Sequence, residues 1–379
     1  MKRFKILLLL IMACFFKLSA QNLLTNDNSL VVVNTGVPFT IEGDLSNSGI
    51  IRNEGAMRLH GNWANSGDYS SVSGSFYLIG QNQLFAPGES TYSQLSVKSG
   101  GVVILSDLHI TESLELIDGI VSIVAGSKVL LQSNARISGG DVNSYIDGSL
   151  FTTTQGDFTF TIGTEAEYLP VTLKNIRTTD SVGVKAFNSS LNASISSELD
   201  AFSETRYWEV MGGSSFEAQS IGLPLLNESF IESEDEAVIA FTTIDDQILN
   251  VLGIPEIVGS LESGTINTPG NILAGYYVLG DQSMIGPPIT VINVVTSLQD
   301  GKHDFLRIDN IEFYENNLVE IFDRQGVKVF EMTRYNNSDR VFKGSANVGS
   351  RGVLQTGNYY YTVKLTNSKR ESGFVYIKN

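Results

Sequence analysis

The stretch Asn47-Ser-Gly-Ile-Ile-Arg-Asn53-Glu-Gly-Ala-Met-Arg-Leu59-His-Gly-Asn-Trp63-Ala-Asn65-Ser-Gly67 decides the fold. Asn-x-Gly occurs in it three times, at 47–49, 53–55 and 65–67, and a fourth copy stands at 34–36. The four starts lie 13, 6 and 12 residues apart. Between them sit short apolar words such as Ile50-Ile51 and Met57-Arg-Leu59, and Val31-Val-Val33 precedes the first. Similar words follow at 102–105, 108–110, 114–116, 120–123 and 129–131, separated by Gly, Asp and Ser, with no sustained helical period. Short strands at a quasi-regular step with Asn and Gly at the corners predict a parallel β-helix, a solenoid of six to eight coils over residues 21–155. Asn tolerates the left-handed backbone of a tight corner, and Gly adopts it without steric cost. An antiparallel meander gives the same words, so both readings stand at this point.

The rhythm changes from about residue 156. Asp157-Phe-Thr-Phe-Thr-Ile162, Tyr168-Leu-Pro-Val-Thr-Leu173, Val182-Gly-Val-Lys-Ala-Phe187 and Arg206-Tyr-Trp-Glu-Val210 are longer alternating strands, continued at 237–241 and 275–279. They predict a sandwich-like β domain over residues 156–286 with Trp208 in its core. Residues 188–203 are the one place where a short helix is expected. Gly286-Pro287-Pro288 marks a linker, taken as 287–290. Beyond it, over 291–379, Val319 to Arg324 alternate as a strand, Gln325-Gly326 turns, and Val327 to Phe330 return. Tyr359-Tyr-Tyr-Thr-Val363 is a further strand after Thr356-Gly-Asn358, and a last strand runs from Gly373 to the end. This is a small antiparallel sandwich, so the whole chain reads as all-β.

These last residues resemble the gliding-motility-associated C-terminal domain of Bacteroidota, the type B sorting domain of the type IX secretion system. That family runs NGDGxND, an IFNRWGxxVY hairpin, a W-D-G turn, LPxGxYxYxL and a G-x-V-x-I/L end. Here Asp300-Gly-Lys-His-Asp304, Ile321-Phe-Asp-Arg-Gln-Gly-Val-Lys-Val-Phe330, Phe342-Lys-Gly344 and Leu354 to Leu365 stand for the first four. The resemblance implies that Ile321, Phe322, Arg324, Gly326 and Val329 of the hairpin, with Gly357, Tyr359, Tyr361, Gly373, Val375 and Ile377, carry the sorting signal. It implies the type IX secretion machinery as partner. Leu298-Gln299 replaces the usual Asn-Gly, His303 replaces Asn, and Gln325 replaces Trp. Asp300 and Asp304 alone fall short of the six or more oxygens that calcium takes. The element Gly61-Asn-Trp-Ala-Asn-Ser-Gly67 is also similar to a pattern in surface proteins of the same bacteria.

The front of the chain agrees with export. Met1-Lys-Arg-Phe-Lys5 is basic, residues 6–16 are apolar, and Lys17-Leu-Ser-Ala20 precedes Gln21. This is a secretory signal peptide, residues 1–20, too short for a membrane span. The competing reading, a lipoprotein lipidated at Cys14, has a poor lipobox in Met12-Ala13. Cys14 is the one cysteine, so the mature chain has no disulfide or thiolate site. No further stretch is long and apolar enough to span a bilayer. Residues 21–290 hold nine Lys/Arg against 31 Asp/Glu, a net of −22, whereas 291–379 hold 12 against ten, a net of +2. The acidic body opposes nucleic acid as a partner.

No catalytic constellation stands out. His60, His109 and His303 are scattered without metal-ligand spacing. The acids Asp44, Glu54, Asp68, Asp107, Glu112, Asp118 and Asp141 fall at corners, not on a repeated face. The run Glu232-Ser-Glu-Asp-Glu236 lacks the spacing of a calcium loop. No catalytic residue, metal or cofactor is assigned, and the expected function is non-enzymatic: an exported surface or secreted module, adhesin-like, for a glycan or protein ligand. Trp63, Tyr69, Phe76 and Tyr77 are the aromatics expected to serve such contacts. A passive stalk and, further off, a polysaccharide-degrading β-helix enzyme are the alternatives.

Overall fold

The computed structural model describes residues 23–378 except 133, 197, 232, 235, 283–288, 297–300, 315–316, 350–351 and 366–369. The expected signal peptide with Cys14, Glu232 and Asp235 of the acidic run, Pro287 and Pro288 of the linker, and Asp300 lie outside the described residues. The chain divides into two compact units between Gly148 and Ser149.

The first unit is a parallel β-helix. One sheet takes seven strands in succession: Leu23–Asn26, Asp44–Asn47, Trp63–Asn65, Gln83–Ala86, Val102–Ile104, Val121–Ile123 and Ile146–Asp147. Each pairs with the next in parallel, with steps of 18 to 25 residues between partners such as Leu45↔Trp63 and Val121↔Ile146. A second sheet of three strands, Leu30–Val33, Ile50–Asn53 and Asp68–Ser70, lines the next side of the first three coils. A third runs through Pro38–Ile41, Ala56–Leu59, Ser75–Leu78, Thr91–Lys98, Leu108–Asp118 and Lys128–Leu131. A meander would pair sequential strands antiparallel, and the parallel register removes that reading.

The Asn-x-Gly repeats act differently from the expectation. None of Asn34, Asn47, Asn53 and Asn65 has a positive φ. Asn47, Asn53 and Asn65 instead end their strands with buried side chains. Asn26 Nδ2 donates to Asn47 Oδ1 at 2.7 Å, and Asn47 Nδ2 donates to Asn65 Oδ1 at 2.7 Å. Asn65 Nδ2 then donates to Pro87 O and Ser90 Oγ, both at 2.9 Å. The result is an amide ladder that satisfies its own polar atoms down one corner. The glycines serve close approach. A Cβ on Gly67 would overlap the carbonyl oxygen of Gly49, and one on Gly49 would overlap that of Ser29, in the coil before.

The interior of the third and fourth coils is filled by rings. Trp63, Tyr69, Phe76, Phe85 and Tyr92 are all buried. Tyr69 stacks on Tyr92 with centroids 4.6 Å apart, and Trp63 Nε1 donates to Tyr92 Oη at 2.7 Å. Three of the four aromatics expected on the surface are therefore core, and Tyr77 alone is partly exposed. Several corner acids bind the next coil: Asp44 Oδ1 accepts from Asn62 N at 2.7 Å, and Asp107 Oδ1 from Lys128 N at 3.1 Å.

The second unit begins with two largely antiparallel sheets. One orders Gly156–Phe160, Val171–Ile176, Ala218–Pro224, Thr265–Ile272 and Glu256–Val258. The other contains Ser149–Thr152, Val182–Phe187, Tyr207–Gly212, Gly275–Asp281, Ala237–Thr242 and Ile248–Val251. Trp208 is fully buried, and its Nε1 donates to Leu169 O at 3.1 Å. The helix expected over 188–203 does not form among the described residues: short strands Ser194–Ile195 and Ala201–Phe202 lie there. Ser194 N donates to Gln247 O at 2.7 Å, and Leu191, Ala193 and Leu199 pack into the cluster of Val238, Leu249 and Val278. Sheet pairing and these apolar contacts override the weak local preference of a Ser/Asn-rich segment.

The remainder of the unit is a five-stranded sheet ordered Val294–Thr296, Arg370–Lys378, Gly357–Lys364, Leu318–Phe322 and Lys328–Thr333. All pairs are antiparallel except the first, where Val294↔Tyr376 to Thr296↔Lys378 run parallel. Two short two-stranded sheets, Thr290–Ile292 with Arg307–Asp309 and Ser345–Ala346 with Gly352–Val353, complete it. A single 3-10 turn at Ile311–Phe313 is the one helical element described.

Candidate functional site

The residues to which the sorting role falls by resemblance lie in this C-terminal sheet or, for Arg324 and Gly326, in the turn of its hairpin, which sets their geometry. Gly326 has φ +81°, a left-handed position that a two-strand reversal needs and glycine supplies at no steric cost. Asp323 Oδ1 accepts from Gln325 N and Val327 N, both at 2.9 Å, so its carboxylate closes the turn. The register slips between Ile321↔Phe330 and Phe322↔Lys328, which makes Val329 the bulged residue.

The inward face gathers most of the assigned residues. Ile321, Val375 and Ile377 are core, with Val319, Phe330, Phe342 and Val363, and Val329, Tyr359 and Tyr361 pack against them. Gly373 stands opposite Tyr361, and a Cβ on it would lie 2.5 Å from Tyr361 Oη. The glycine is thus the space into which the Tyr361 ring folds. Burial, then Glu371, pushes the Tyr361 phenol up. Gly357 makes room for Arg324, whose Nη2 would lie 2.9 Å from a Cβ there. Phe322 faces the other way. The structure therefore brings ten of the eleven together as packing and turn residues on or around one core, and leaves Phe322 outside it.

Sequence reasoning missed two features. The first is a buried polar knot. Asn317 Nδ2 donates to Tyr314 O at 2.7 Å and to Tyr335 O at 3.0 Å, while its Oδ1 accepts from Tyr335 N at 2.8 Å. Tyr335 Oη donates to Leu306 O and accepts from Phe342 N at 2.9 Å, and burial pushes its phenol up. No local pattern announces these partners, which lie 18 and 29 residues apart. The second is the outer face, where Glu320 meets Lys328 at 2.6 Å and Lys328 meets Glu331 at 2.5 Å. The hydrogen bond from Lys328 holds the Glu320 carboxyl below its ordinary value, and Glu320 and Glu331 hold the Lys328 amine above its own. Alternation along 318–322 and 357–364 carries the signal for this face.

Among the described residues no three His, Asp or Glu side chains converge to hold a metal ion, and no helix is long and apolar enough to cross a membrane. No curated protein and no solved structure matches the chain. Residues 289–377 match the family model of the CHU_C type IX secretion signal domain, a match consistent with the C-terminal sorting domain of a Bacteroidota-type secreted protein and one that indicates export toward the cell surface or extracellular space.

Proposed function

We propose that this is an exported, non-enzymatic surface or secreted protein whose body is an adhesin-like binding module. The secretion signal domain at 289–377 is the observation that carries the export half of the reading. On it, residues 1–20 act as a signal peptide to the periplasm, and residues 291–379 address the chain to the type IX machinery for passage across the outer membrane. A polar sheet face on the solenoid supports the binding half. Its rows run Ala56, Ser75, Gln94, Ser113 and Arg58, Tyr77, Ser96, Glu115 across successive coils, with Ser96 itself buried. Arg58 lies 5.0 Å over the Tyr77 ring, Gln94 Nε2 donates to Glu112 at 2.8 Å, and Ser96 donates to Glu115 at 3.0 Å. The accessible side chains of Ser75, Gln94, Ser113, Arg58, Tyr77 and Glu115, on coils about 4.8 Å apart, suit hydrogen bonding to a glycan or an extended protein segment.

A second reading, a passive stalk, is favoured by the burial of Trp63, Tyr69 and Phe76, which removes three of the expected contact rings. The test is location after deletion of 291–379 in a host with a working type IX system, assayed in medium, surface and periplasm. Periplasmic retention of a protease-resistant truncated chain is expected, and equal export of both forms would overturn the sorting reading. Binding of the full exported chain to a glycan array then separates adhesin from stalk.

A further inference from the structure

The outer face of the C-terminal sheet carries an aromatic patch that the packing leaves bare. Phe322, Tyr360 and Phe374 stand in one cross-strand row, and Tyr376 follows opposite Asn358. Tyr360 is 54% exposed, Phe374 53% and Tyr376 39%. The terminal strand presents Arg370, Ser372, Phe374, Tyr376 and Lys378 outward, all exposed, between the buried Val375 and Ile377. Two aromatics are thus bracketed by a cation at each end, Arg370 within electrostatic reach of Glu320 and Lys378 at the far end. The strand Val294–Thr296 pairs only with Tyr376–Lys378. Among the described strands, the segment 370–375 therefore has a neighbour on one side alone.

We infer that this face, Phe322, Tyr360, Phe374 and Tyr376 with Arg370 and Lys378, is the docking surface for an extended, acid-flanked apolar segment of an outer-membrane protein of the secretion machinery. The inference rests on the export reading above. Charge complementarity chooses the occupant: a basic-bracketed strand within a chain of net charge −16 attracts an acidic partner here and repels it from the body. The rings supply the desolvated contact area. The half-open strand supplies backbone donors and acceptors that fix register by strand addition.

The experiment uses the full chain in a type IX-competent host. Tyr360→Thr, Phe374→Thr and Tyr376→Thr combined keep strand propensity and touch no core position. Exported protein is expected to fall about tenfold or more, as truncation of hot-spot aromatics implies, with an unchanged melting temperature. Arg370→Glu with Lys378→Glu is expected to fall likewise, whereas Val353→Thr, exposed elsewhere in the domain, leaves export at the parent level. A photo-crosslinking residue at position 360 is expected to capture an outer-membrane protein, and one at 353 is not. Normal export of the folded triple variant, or crosslinks only to a second copy or to lipid, overturns the surface. That result leaves the sorting reading intact as long as deletion of 291–379 still blocks export. If the triple variant loses stability, the crosslink at 360 decides alone.

Discussion

At the scale of single residues, the asparagines show how chemistry and position part company. Their spacing announced coils, but the αL reading of Asn47, Asn53 and Asn65 fails because each lies at a strand end whose side chain points inward. There an amide, with a donor and an acceptor on one planar group, both donates and accepts along the solenoid axis. Asn47→Leu therefore removes the middle rung and leaves Asn65 Oδ1 without its donor. The expected cost is about 2 kcal/mol, read as a lower unfolding midpoint in urea. Asn28, exposed and with φ 47°, is a true left-handed asparagine, and Asn28→Gly is expected to leave the midpoint nearly unmoved. The glycines at 49, 67 and 373 belong with Asn47: each is required by what presses on it, and sequence alone does not print a neighbour's distance.

At the scale of the element, phase was harder to read than period. Trp63-Ala-Asn65 and Asp68-Tyr-Ser70 are three-residue strands. Strands of three or four residues fix alternation but do not say which parity faces the core, and Trp63, Tyr69 and Phe76 face it rather than solvent. Tyr359-Tyr360-Tyr361 poses the same puzzle. The pattern marked Tyr359 and Tyr361, which pack inward, and passed over Tyr360, which does not. Family-like positions in the C-terminal domain are thus largely positions of packing, and the exposed aromatics stand at the opposite parity. The hairpin also carries a titratable device. Glu320 is held low, so its contribution is present above the ordinary glutamate range near pH ~4.3 and fades as pH falls through its folded value. Lys328 is held high, so its contribution is present below the ordinary lysine range near pH ~10.4 and fades as pH rises through its folded value. The domain is accordingly steadied by this cluster between those limits. Lys328→Met is expected to lower the melting temperature at pH 7, with the gap to the parent closing as the pH drops below the glutamate range.

At the scale of the whole molecule, the all-β character, the parallel coils and the secretion signal were legible, because each rests on repetition or on a motif tens of residues long. The polar knot around Asn317 was not, since its partners meet only once the sheet has closed. The solenoid has one more property, and it is mechanical. Every coil of residues 23–148 holds the next by hydrogen bonds that run along the axis, so tension applied along that axis loads the ladders one after another. A chain pulled by handles at positions 23 and 148 should lengthen in steps of one coil. Each step frees 18 to 25 residues, about 60–85 Å of contour at ~3.4 Å per residue. Force spectroscopy would show these as successive small teeth, and one abrupt rip of the full length would contradict it. Such a body yields under drag by paying out line and rewinding, a fuse rather than a rod.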